Sequence, residues 1–485
     1  MFKEYIIALS LTNLCFYNII LAFFYKNKFH LIDLPGTNQL LALIFSELLI
    51  ATLFWLAWRM VKKINNKYLI NLAKFVLCLL VLLFIYELAR DFKLFINLKL
   101  FRIGLLALLI VLLIRKKTTK AATTFLLMLT PFVGIVFFQS IQGIAADLTK
   151  KPALEIKQTI FPGKKDQPRV LWLIFDGLGY RIAFVDKPHN LKMTAFDELQ
   201  QQALVAHNAY PPGNVTRLSI PALIDGKIIS QSDIYGYDEL SIIYRGSNQR
   251  INWGSGPNVF SRAKELEINA ALVGEYLPYS RLVGKELAYC EWYQFYPRYT
   301  SPDSIIANMG QQIRMLLIGP ARHIAQRKEA YYSVHNQTKE LVSNPNYNLI
   351  MIHNPIPHFP YFYRQPWWDD RSPEGYVNAL KLTDRTLSEI RLQMEEQGTW
   401  DKTNIIVSAD HASNLEDDGK TDKRIPFIVK LAGQNRPVTY EPAFNTVVTQ
   451  ELVLAILRGD VSSPEDLVGF LQKNGKMIEP TIINE

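Results

Sequence analysis

Cysteine is scarce in this sequence, with three residues among 485. Cys15 and Cys78 lie in long apolar runs, so Cys290 is alone in the rest of the chain. Because one cysteine cannot form an intramolecular disulfide, a disulfide-stapled fold is excluded for residues 147–485. This part of the chain is long enough to depend on a hydrophobic core instead.

Acidic residues are scarce in the first third of the chain. Residues 1–150 contain 17 Lys or Arg and 6 Asp or Glu, whereas the whole chain has a net charge of +9. The positive charge therefore belongs to the N-terminal part, and the remainder is slightly acidic. Because nucleic-acid binding requires a basic surface, we expect no nucleic-acid partner.

Long apolar runs are concentrated in the same N-terminal part, and a helix needs about 20 residues to cross a bilayer. Five runs approach this length, at 5–25, 38–60, 68–88, 96–114 and 122–145. No cleavage-site pattern follows the first run, which favours a retained helix over a removed signal peptide. The predicted domains are a transmembrane domain of about five helices at 1–146, a linker at 147–168 and a soluble domain at 169–485.

Basic residues are clustered after the second and fourth apolar runs. The clusters are Lys62, Lys63 and Lys67, and Arg115, Lys116, Lys117 and Lys120. The positive-inside rule places both clusters in the cytoplasm, and an odd number of spans then delivers the soluble domain to the other side. We therefore expect a multi-pass membrane protein with an extracytoplasmic soluble domain.

Two ionisable residues fall inside these runs, Glu47 in the second and Lys74 in the third. Ionisable groups at such depth are costly, so each needs a partner or a function. The pair is interpreted either as a structural ion pair or hydrogen-bonded carboxyl, or as a lipid or substrate contact.

Short apolar runs alternate with amphipathic stretches after residue 169. Predicted strands lie at 170–175, 270–274, 349–353 and 405–409, and predicted helices at 193–203, 258–267, 304–316 and 376–396. Strands separated by helices favour a mainly parallel sheet with helices on both faces. The predicted fold class is an N-terminal multi-span α-helical membrane domain followed by an α/β domain.

The first predicted strand ends on Asp176, and the strand at 405–409 ends on adjacent Asp410 and His411. Ligands bind at the carboxyl ends of parallel strands, where carboxylates are natural metal ligands. Two carboxylates and an imidazole suit zinc, with manganese also possible. The alternative for Asp176 is an ordinary turn or helix-cap aspartate.

Thr216 follows two prolines and a glycine, which prevent a helix from starting earlier. A hydroxyl at a helix N-terminus lies where an attacked phosphate or sulfate is also favoured. Since threonine is a poor nucleophile without a metal, Thr216 is a candidate nucleophile and a further metal ligand; an N-cap is the alternative. Asn214 and Arg217 flank it, and either contact the transferred group or serve as turn and surface residues.

The loop after the strand at 349–353 contains three prolines, which hold His358 in a defined position just past the strand end. His358 is a candidate ligand of the phosphate or of a second metal, and His353 is a further candidate. A hydrogen-bonded structural role is the alternative for both.

Four motifs occur in this order along the chain: Asp176, Thr216 in a Thr-x-x-Ser-x-Pro frame, a His-x-Pro-x-Pro-His loop and a terminal Asp-His pair. This order of motifs resembles that of the alkaline phosphatase superfamily. The resemblance is specifically to its sulfatase-like branch and covers residues 168–435. Five apolar runs ahead of such a domain are similar in layout to bacterial lipooligosaccharide phosphoethanolamine transferases and lipoteichoic acid synthases.

The resemblance implies a threonine nucleophile and a metal held by Asp176, Thr216, Asp410 and His411. Sulfatases proper have a cysteine or serine that becomes formylglycine at the nucleophile position, so Thr216 disfavours sulfate-ester hydrolysis. The phosphoethanolamine transferases have a further histidine downstream, where this chain has Lys423. A cation there could bind the phosphate directly in place of a second metal.

The resemblance thus implies a membrane-bound, metal-dependent transferase of the bacterial inner membrane. It would move a phosphoethanolamine- or phosphoglycerol-type group from a phospholipid donor to an envelope glycan or lipid acceptor, through a covalent phosphothreonine. The alternative is a membrane-anchored phosphodiesterase, phosphatase or sulfatase-like hydrolase that uses water. A third interpretation is a binding module without catalysis, which need not retain the metal.

Overall fold

A computed structural model of the chain describes residues 1–26, 34–91, 117–149, 160–162, 167–236, 238–293, 304–318, 321–364, 372–413 and 422–483. These residues form two compact units. The first unit holds the described residues up to 149 together with 304–318, and the second holds those at 160–293 and from 321 onwards.

The described part of the first unit is helical. Its helices are α1 (Phe2–Cys15), α2 (Tyr17–Leu21), α3 (Thr37–Ile64), α4 (Lys67–Asp91), α5 (Lys117–Met128) and α6 (Thr130–Thr149), and a π-helix occupies Ala22–Lys26.

Two helical stretches of the described residues are long and apolar enough to cross a membrane: Thr37–Ile64, which is α3, and Lys120–Thr149, which combines most of α5 with α6. The bent pair Phe2–Cys15 and Tyr17–Tyr25 would make a third. These correspond to the second, fifth and first predicted spans. The third predicted span falls within α4, and the fourth, 96–114, lies outside the described residues. The N-terminal helices therefore fit a membrane domain, while the count of five spans stays a prediction.

Glu47 is fully buried in the first unit and accepts hydrogen bonds from Asn13 Nδ2 at 3.3 and 3.4 Å. Its partner among the described residues is thus an amide on α1 rather than Lys74. This arrangement favours the hydrogen-bonded carboxyl over the ion pair.

The second unit is built on a mainly parallel sheet. The strands of the unit are β1 (Arg169–Asp176), β2 (Leu204–Tyr210), β3 (Ile229–Ile234), β4 (Leu240–Tyr244), β5 (Arg250–Asn252), β6 (Ala270–Glu275), β7 (Tyr289–Tyr293), β8 (Leu349–Pro357), β9 (Thr403–Ala409), β10 (Ile425–Lys430), β11 (Val438–Tyr440) and β12 (Phe444–Asn445). The main sheet has the order β11-β2-β10-β9-β1-β8-β6-β7, with β12 beside β2, whereas β3, β4 and β5 form a small antiparallel sheet.

The four strands predicted from the sequence are β1, β6, β8 and β9. They pair in parallel, and β10 is antiparallel to β9 and β2.

Helices of the second unit connect these strands. They are α7 (Thr194–Gln200), α8 (Thr216–Asp225), α9 (Val259–Glu265), α10 (Tyr279–Leu282), α12 (Ala321–Ser343), α13 (Pro373–Glu396), α14 (Thr449–Arg458) and α15 (Pro464–Asn474). Local sequence explains their starts. In α13, for example, Ser372 accepts a hydrogen bond from the Gly375 amide at 3.1 Å, and Pro373 occupies the first helical position.

A helix at Ile305–Ile318, numbered α11, corresponds to the helix predicted at 304–316. Its predicted place beside the sheet is wrong, because it belongs to the first unit and packs against α3. Gln312 Nε2 donates to the Gln39 carbonyl at 3.1 Å in this packing. Amphipathic periodicity identifies a buried face but does not identify the element that covers it.

Apolar side chains cover both faces of the main sheet. Along β1, Val170, Trp172 and Ile174 belong to one buried cluster, and the alternating residues Leu171, Leu173 and Phe175 belong to another. A strand buried on both faces reads as an unbroken apolar run, which is the pattern the sequence shows. The predicted α/β fold class is confirmed.

Candidate metal centre and nucleophile

Three neighbouring parallel strands, β9, β1 and β8, end at one edge of the main sheet. Asp176 is the last residue of β1, Asp410 and His411 follow β9, and His358 follows β8. Side chains predicted from separate stretches of sequence therefore meet at this edge because the strands share a direction.

Thr216 is the first residue of α8 and is almost fully buried. The N-cap position belongs to Val215, so Thr216 does not act as the N-cap. Its hydroxyl instead donates to Asp410 Oδ2 at 2.8 Å and lies 3.4 Å from His411 Nε2. The start of α8 thus aims this hydroxyl at the Asp-His pair.

Backbone groups orient the Asp-His pair. Asp410 Oδ1 accepts hydrogen bonds from the amides of Gly177 at 3.0 Å and His411 at 2.8 Å, which leaves Oδ2 for Thr216. His411 Nδ1 lies 2.8 Å from the Ala412 carbonyl and donates to it in the neutral imidazole. The lone pair of His411 is then on Nε2, the atom that faces the other ligand candidates.

The distances between these atoms fit one metal ion. His411 Nε2 lies 3.4 Å from Asp176 Oδ1 and 3.5 Å from Asp410 Oδ2, in addition to its 3.4 Å separation from Thr216. Ligands at ~2 Å from a tetrahedral zinc ion are about 3.3 Å apart. His411 Nε2 is thus within 3.5 Å of the other three residues predicted as metal ligands, whereas the ligand sets within 4.8 Å of one another are Asp176, His358 and His411, and Asp176, His353 and Asp410.

Charge at the site points to the same ion. Asp176, Asp410 and Glu275 are all buried, and the buried guanidinium of Arg327 pairs with Glu275 and also lies 3.9 Å from Asp176 Oδ2. Three carboxylates beside one guanidinium leave an excess of negative charge that a divalent cation would neutralise, and buried charges are normally paired or coordinated. The identity of the metal stays a prediction.

His353 belongs to a second possible set of ligands, with Asp176 and Asp410. It is fully buried within β8, and its Nδ1 lies 2.8 Å from Tyr279 Oη and 3.1 Å from the Glu275 carbonyl. Its Nε2 lies 3.8 Å from Asp410 Oδ2 and has no hydrogen-bond partner among the described residues.

His358 lies in a set with Asp176 and His411. Its Nδ1 is 2.7 Å from the Phe359 carbonyl, which orients the ring. Burial, with help from Arg327 and His411, lowers the pKa of His358 to about 3. The imidazole is therefore neutral at physiological pH and able to serve as a metal ligand or a hydrogen-bonding group.

Arg327 and Glu275 were missed as site residues from the sequence. Both are fully buried, and they form an ion pair. Arg327 Nη2 also donates to the Pro355 carbonyl and lies 3.9 Å from Asp176 Oδ2. Burial raises the pKa of Glu275, and Arg327 opposes this shift. Glu275 is recognisable as a strand-end carboxylate, but nothing in the sequence of α12 distinguishes Arg327 from a surface arginine.

The remaining predicted residues have other surroundings. Asn214 exchanges both hydrogen bonds of its side-chain amide with the backbone of Ile483, at 2.9 and 3.0 Å. Arg217 Nη1 donates to the Ser232 carbonyl at 2.9 Å. Lys423 is exposed, just after the undescribed residues 414–421. The contacts of Asn214 are those of a structural residue.

The main sheet carries a hydroxyl, two carboxylates and histidines at its carboxyl edge, and these are residue types that can hold a divalent metal beside a nucleophile. Residues 310–454 match the family model described as Sulfatase. Both candidate histidines and the Asp-His pair lie inside the matched residues, while Asp176 and Thr216 precede them. Over residues 310–454 the chain is similar to sulfatases.

Solved structures with similar folds include three of low sequence identity. They are Ps i-CgsB in complex with k-i-k-neocarrahexaose (14% identity, 64% of this chain and 77% of that chain, TM-score 0.45), PsFucS1 sulfatase from Pseudoalteromonas sp. (14%, 60% and 68%, TM-score 0.43) and the phosphonate monoester hydrolase of Agrobacterium radiobacter (13%, 62% and 78%, TM-score 0.41). No curated protein matches the chain.

Proposed function

We propose that this protein is a membrane-bound, metal-dependent transferase that moves a phosphoethanolamine- or phosphoglycerol-type group from a phospholipid to an envelope glycan or lipid. The proposal includes a bacterial inner-membrane location with the second unit outside the cytoplasm. The observation that supports it most is the Thr216 hydroxyl, held 2.8 Å from Asp410 and 3.4 Å from His411 at the start of a helix. Such a hydroxyl is arranged as a nucleophile rather than as a cap.

The proposed reaction has two displacements. Thr216 Oγ1 forms a bond to phosphorus, the bond from phosphorus to the diacylglycerol oxygen breaks, and diacylglycerol leaves as the alcohol. The hydroxyl proton has Asp410 Oδ2 as its acceptor. A hydroxyl of the glycan or lipid acceptor then forms the new ester, and the phosphothreonine bond breaks to restore Thr216. A divalent metal held by Asp176, Thr216, Asp410 and His411 would lower the pKa of the hydroxyl and neutralise phosphoryl charge.

A labelling experiment tests this proposal. The full-length protein is incubated with phospholipid that is labelled in its phosphate, quenched in acid and digested, and the Thr216 peptide is examined by mass spectrometry. We expect labelled phosphothreonine at Thr216, none in Thr216→Ala, and unchanged labelling in Thr439→Ala, which alters an exposed threonine on β11.

The fate of the label distinguishes transfer from hydrolysis. Label in a glycan or lipid product supports the transferase, whereas label released only as the free head group supports the hydrolase. Normal turnover by Thr216→Ala would contradict the covalent route in either form.

A further inference from the structure

The polarity of α11 is the reverse of that of a helix on a water-exposed surface. Asn308 and Gln312, one helical turn apart, are fully buried, whereas Ile306 is 81% exposed. Ala307 and Gly310 are also exposed, and Ile313 is half-buried. A helix in water buries its apolar residues, but a helix in a bilayer turns its polar residues toward other helices.

Hydrogen bonds of the buried polar residues of α11 lie within the first unit, although Gln312 Oε1 has no partner among the described residues. Gln312 Nε2 donates to the Gln39 carbonyl near the start of α3, and Asn308 Nδ2 donates to the Ser304 carbonyl at 2.9 Å. On the same unit, Met315 and Leu316 pack with the apolar cluster that contains Leu40. The helix is therefore held on the membrane-type bundle by Gln312 and by its C-terminal end, while the bond of Asn308 is local to α11.

The surface of α3 continues this pattern. Leu49, Leu53 and Leu56 are each 44–50% exposed, on a helix long and apolar enough to span a bilayer. Because α11 packs against α3, it belongs to a helix bundle whose outward surface is suited to acyl chains. With 14 residues, α11 is about 21 Å long. This is shorter than the ~30 Å hydrocarbon core.

We infer that α11 is a lipid-facing helix that lies within one leaflet of the bilayer, with Ile306 and Gly310 directed toward phospholipid acyl chains. This inference rests on the membrane location in the proposed function. Arg314 is exposed near the C-terminal end of α11, and its long side chain can reach the head groups from such a position.

The path of the chain connects α11 to α12, the helix that carries Arg327 of the candidate site. The segment leaves the second unit after β7, forms α11 in the first unit, and re-enters the second unit as α12. Arg327, which contacts Asp176 and Glu275, lies in the second turn of α12. The enzyme is thus attached to the membrane both by its N-terminal helices and by a short helix inserted into the sequence of its catalytic unit.

Nitroxide accessibility measures this directly in the full-length protein. After Cys15→Ala, Cys78→Ala and Cys290→Ala, single labels are attached through Ile306→Cys and, separately, Gly310→Cys. A side chain at residue 310 meets no atom within 4 Å, so the label is accommodated without repacking. Leu53→Cys on α3 serves as the lipid reference, and Leu392→Cys on α13, 53% exposed, serves as the water reference.

The labelled proteins are reconstituted into vesicles of phosphatidylcholine and phosphatidylglycerol, and collisions with oxygen are compared with those of a water-soluble nickel chelate. We expect the oxygen-to-nickel ratio at 306 and 310 to match that at 53 and to exceed that at 392 several-fold. If the ratio at 306 and 310 equals that at 392 while residue 53 is in lipid, the inference about α11 is overturned and the proposed membrane location is not. Low access to both reagents would also overturn this inference, because another protein surface would then cover α11. If residue 53 itself matches 392, the proposed membrane location fails.

Discussion

Buried carboxylates occur in both units of the molecule, but their partners differ. In the first unit, the amide of Asn13 reaches both oxygens of Glu47. At the sheet edge of the second unit, Asp176 and Asp410 lie within 3.5 Å of His411 Nε2, and Thr216 bonds to Asp410. An amide supplies hydrogen bonds but no charge, which is adequate for one carboxyl group. Asp176 and Asp410 are buried beside Glu275, and the single guanidinium of Arg327 leaves an excess of negative charge there, so only the second arrangement is suited to a metal ion.

The largest expected effect is at the metal site. Asp410→Asn keeps the shape of the side chain but removes one negative charge and the oxygen that accepts the Thr216 hydroxyl. Loss of even an outer partner of a metal ligand costs ~10–100-fold in affinity or activity, so we expect turnover to fall by more than about 100-fold. Metal content of the purified protein, measured by mass spectrometry, should fall with it. Retention of both metal and turnover would remove Asp410 from the site.

The next largest effect is expected at Arg327, whose guanidinium is the cation that the protein itself supplies beside these carboxylates. Arg327→Met leaves Glu275 and Asp176 buried without their guanidinium partner, and removing one member of a buried pair costs about 3–5 kcal/mol. Thermal unfolding of the purified protein measures this loss. The double variant Arg327→Met with Glu275→Gln removes the unpaired charge, so it should be more stable than the single variant. Equal stability of the two variants would show that the pair is not coupled.

Asp225 is a further buried carboxylate of the second unit, and it extends the comparison because neutral groups donate its hydrogen bonds. Asp225 accepts hydrogen bonds from Tyr244 Oη at 2.8 Å and Trp253 Nε1 at 3.3 Å. Burial raises the pKa of Asp225 from 3.8 to about 7. The folded state therefore keeps a proton that the unfolded state loses above its lower pKa. The stabilisation of the folded state by protonated Asp225 is fully present below pH 3.8 and is lost as the pH rises through about 7.

The pH dependence of unfolding tests this assignment. Between pH 5 and pH 8 we expect the wild-type free energy of unfolding to fall by about 3 kcal/mol through this residue, at 1.36 kcal/mol per unit of pKa. Asp225→Asn, whatever its stability at pH 5, should lack this slope. Parallel slopes in the two proteins would show that Asp225 is ionised in the folded state.

The smallest effect is expected in the first unit. Glu47→Gln preserves the size of the side chain and a hydrogen bond to Asn13, so turnover and metal content should not change, and stability should change by less than about 1 kcal/mol. Glu47→Leu leaves the Asn13 amide unsatisfied and should cost about 1–3 kcal/mol. Loss of turnover in Glu47→Gln without loss of stability would favour the lipid or substrate contact instead.

The positions of β1 and β9 and the residues at their ends could be predicted because these are local signals. An unbroken apolar run that stops on Asp176, or on Asp410 and His411, marks a buried strand and its end in the sequence itself. Thr216 was predictable because prolines exclude an earlier helix start. That its hydroxyl bonds to Asp410 could not be read locally, since the two residues are 194 positions apart.

The antiparallel strand β10 and the roles of Arg327 and Gln312 were not predictable in the same way. Arg327 lies on a charged amphipathic helix, where a buried and a solvated arginine have the same local pattern. Gln312 is polar and buried because α3 covers it, and nothing in its own helix indicates α3 as the neighbour.

The sequence by itself determined the apolar N-terminal part, the α/β class of the rest, and the residue types that end its central strands. These follow from composition and periodicity, which act over a few turns of chain. Tertiary structure alone decided that Asp176, Thr216 and Asp410 each come within 3.5 Å of His411 Nε2, close to the ~3.3 Å spacing of ligands in a tetrahedral metal site. It also decided that an arginine neutralises Glu275 beside them and that α11 joins the first unit. Burial and electrostatic pairing depend on what surrounds a side chain, and for these residues the surroundings come from distant parts of the chain.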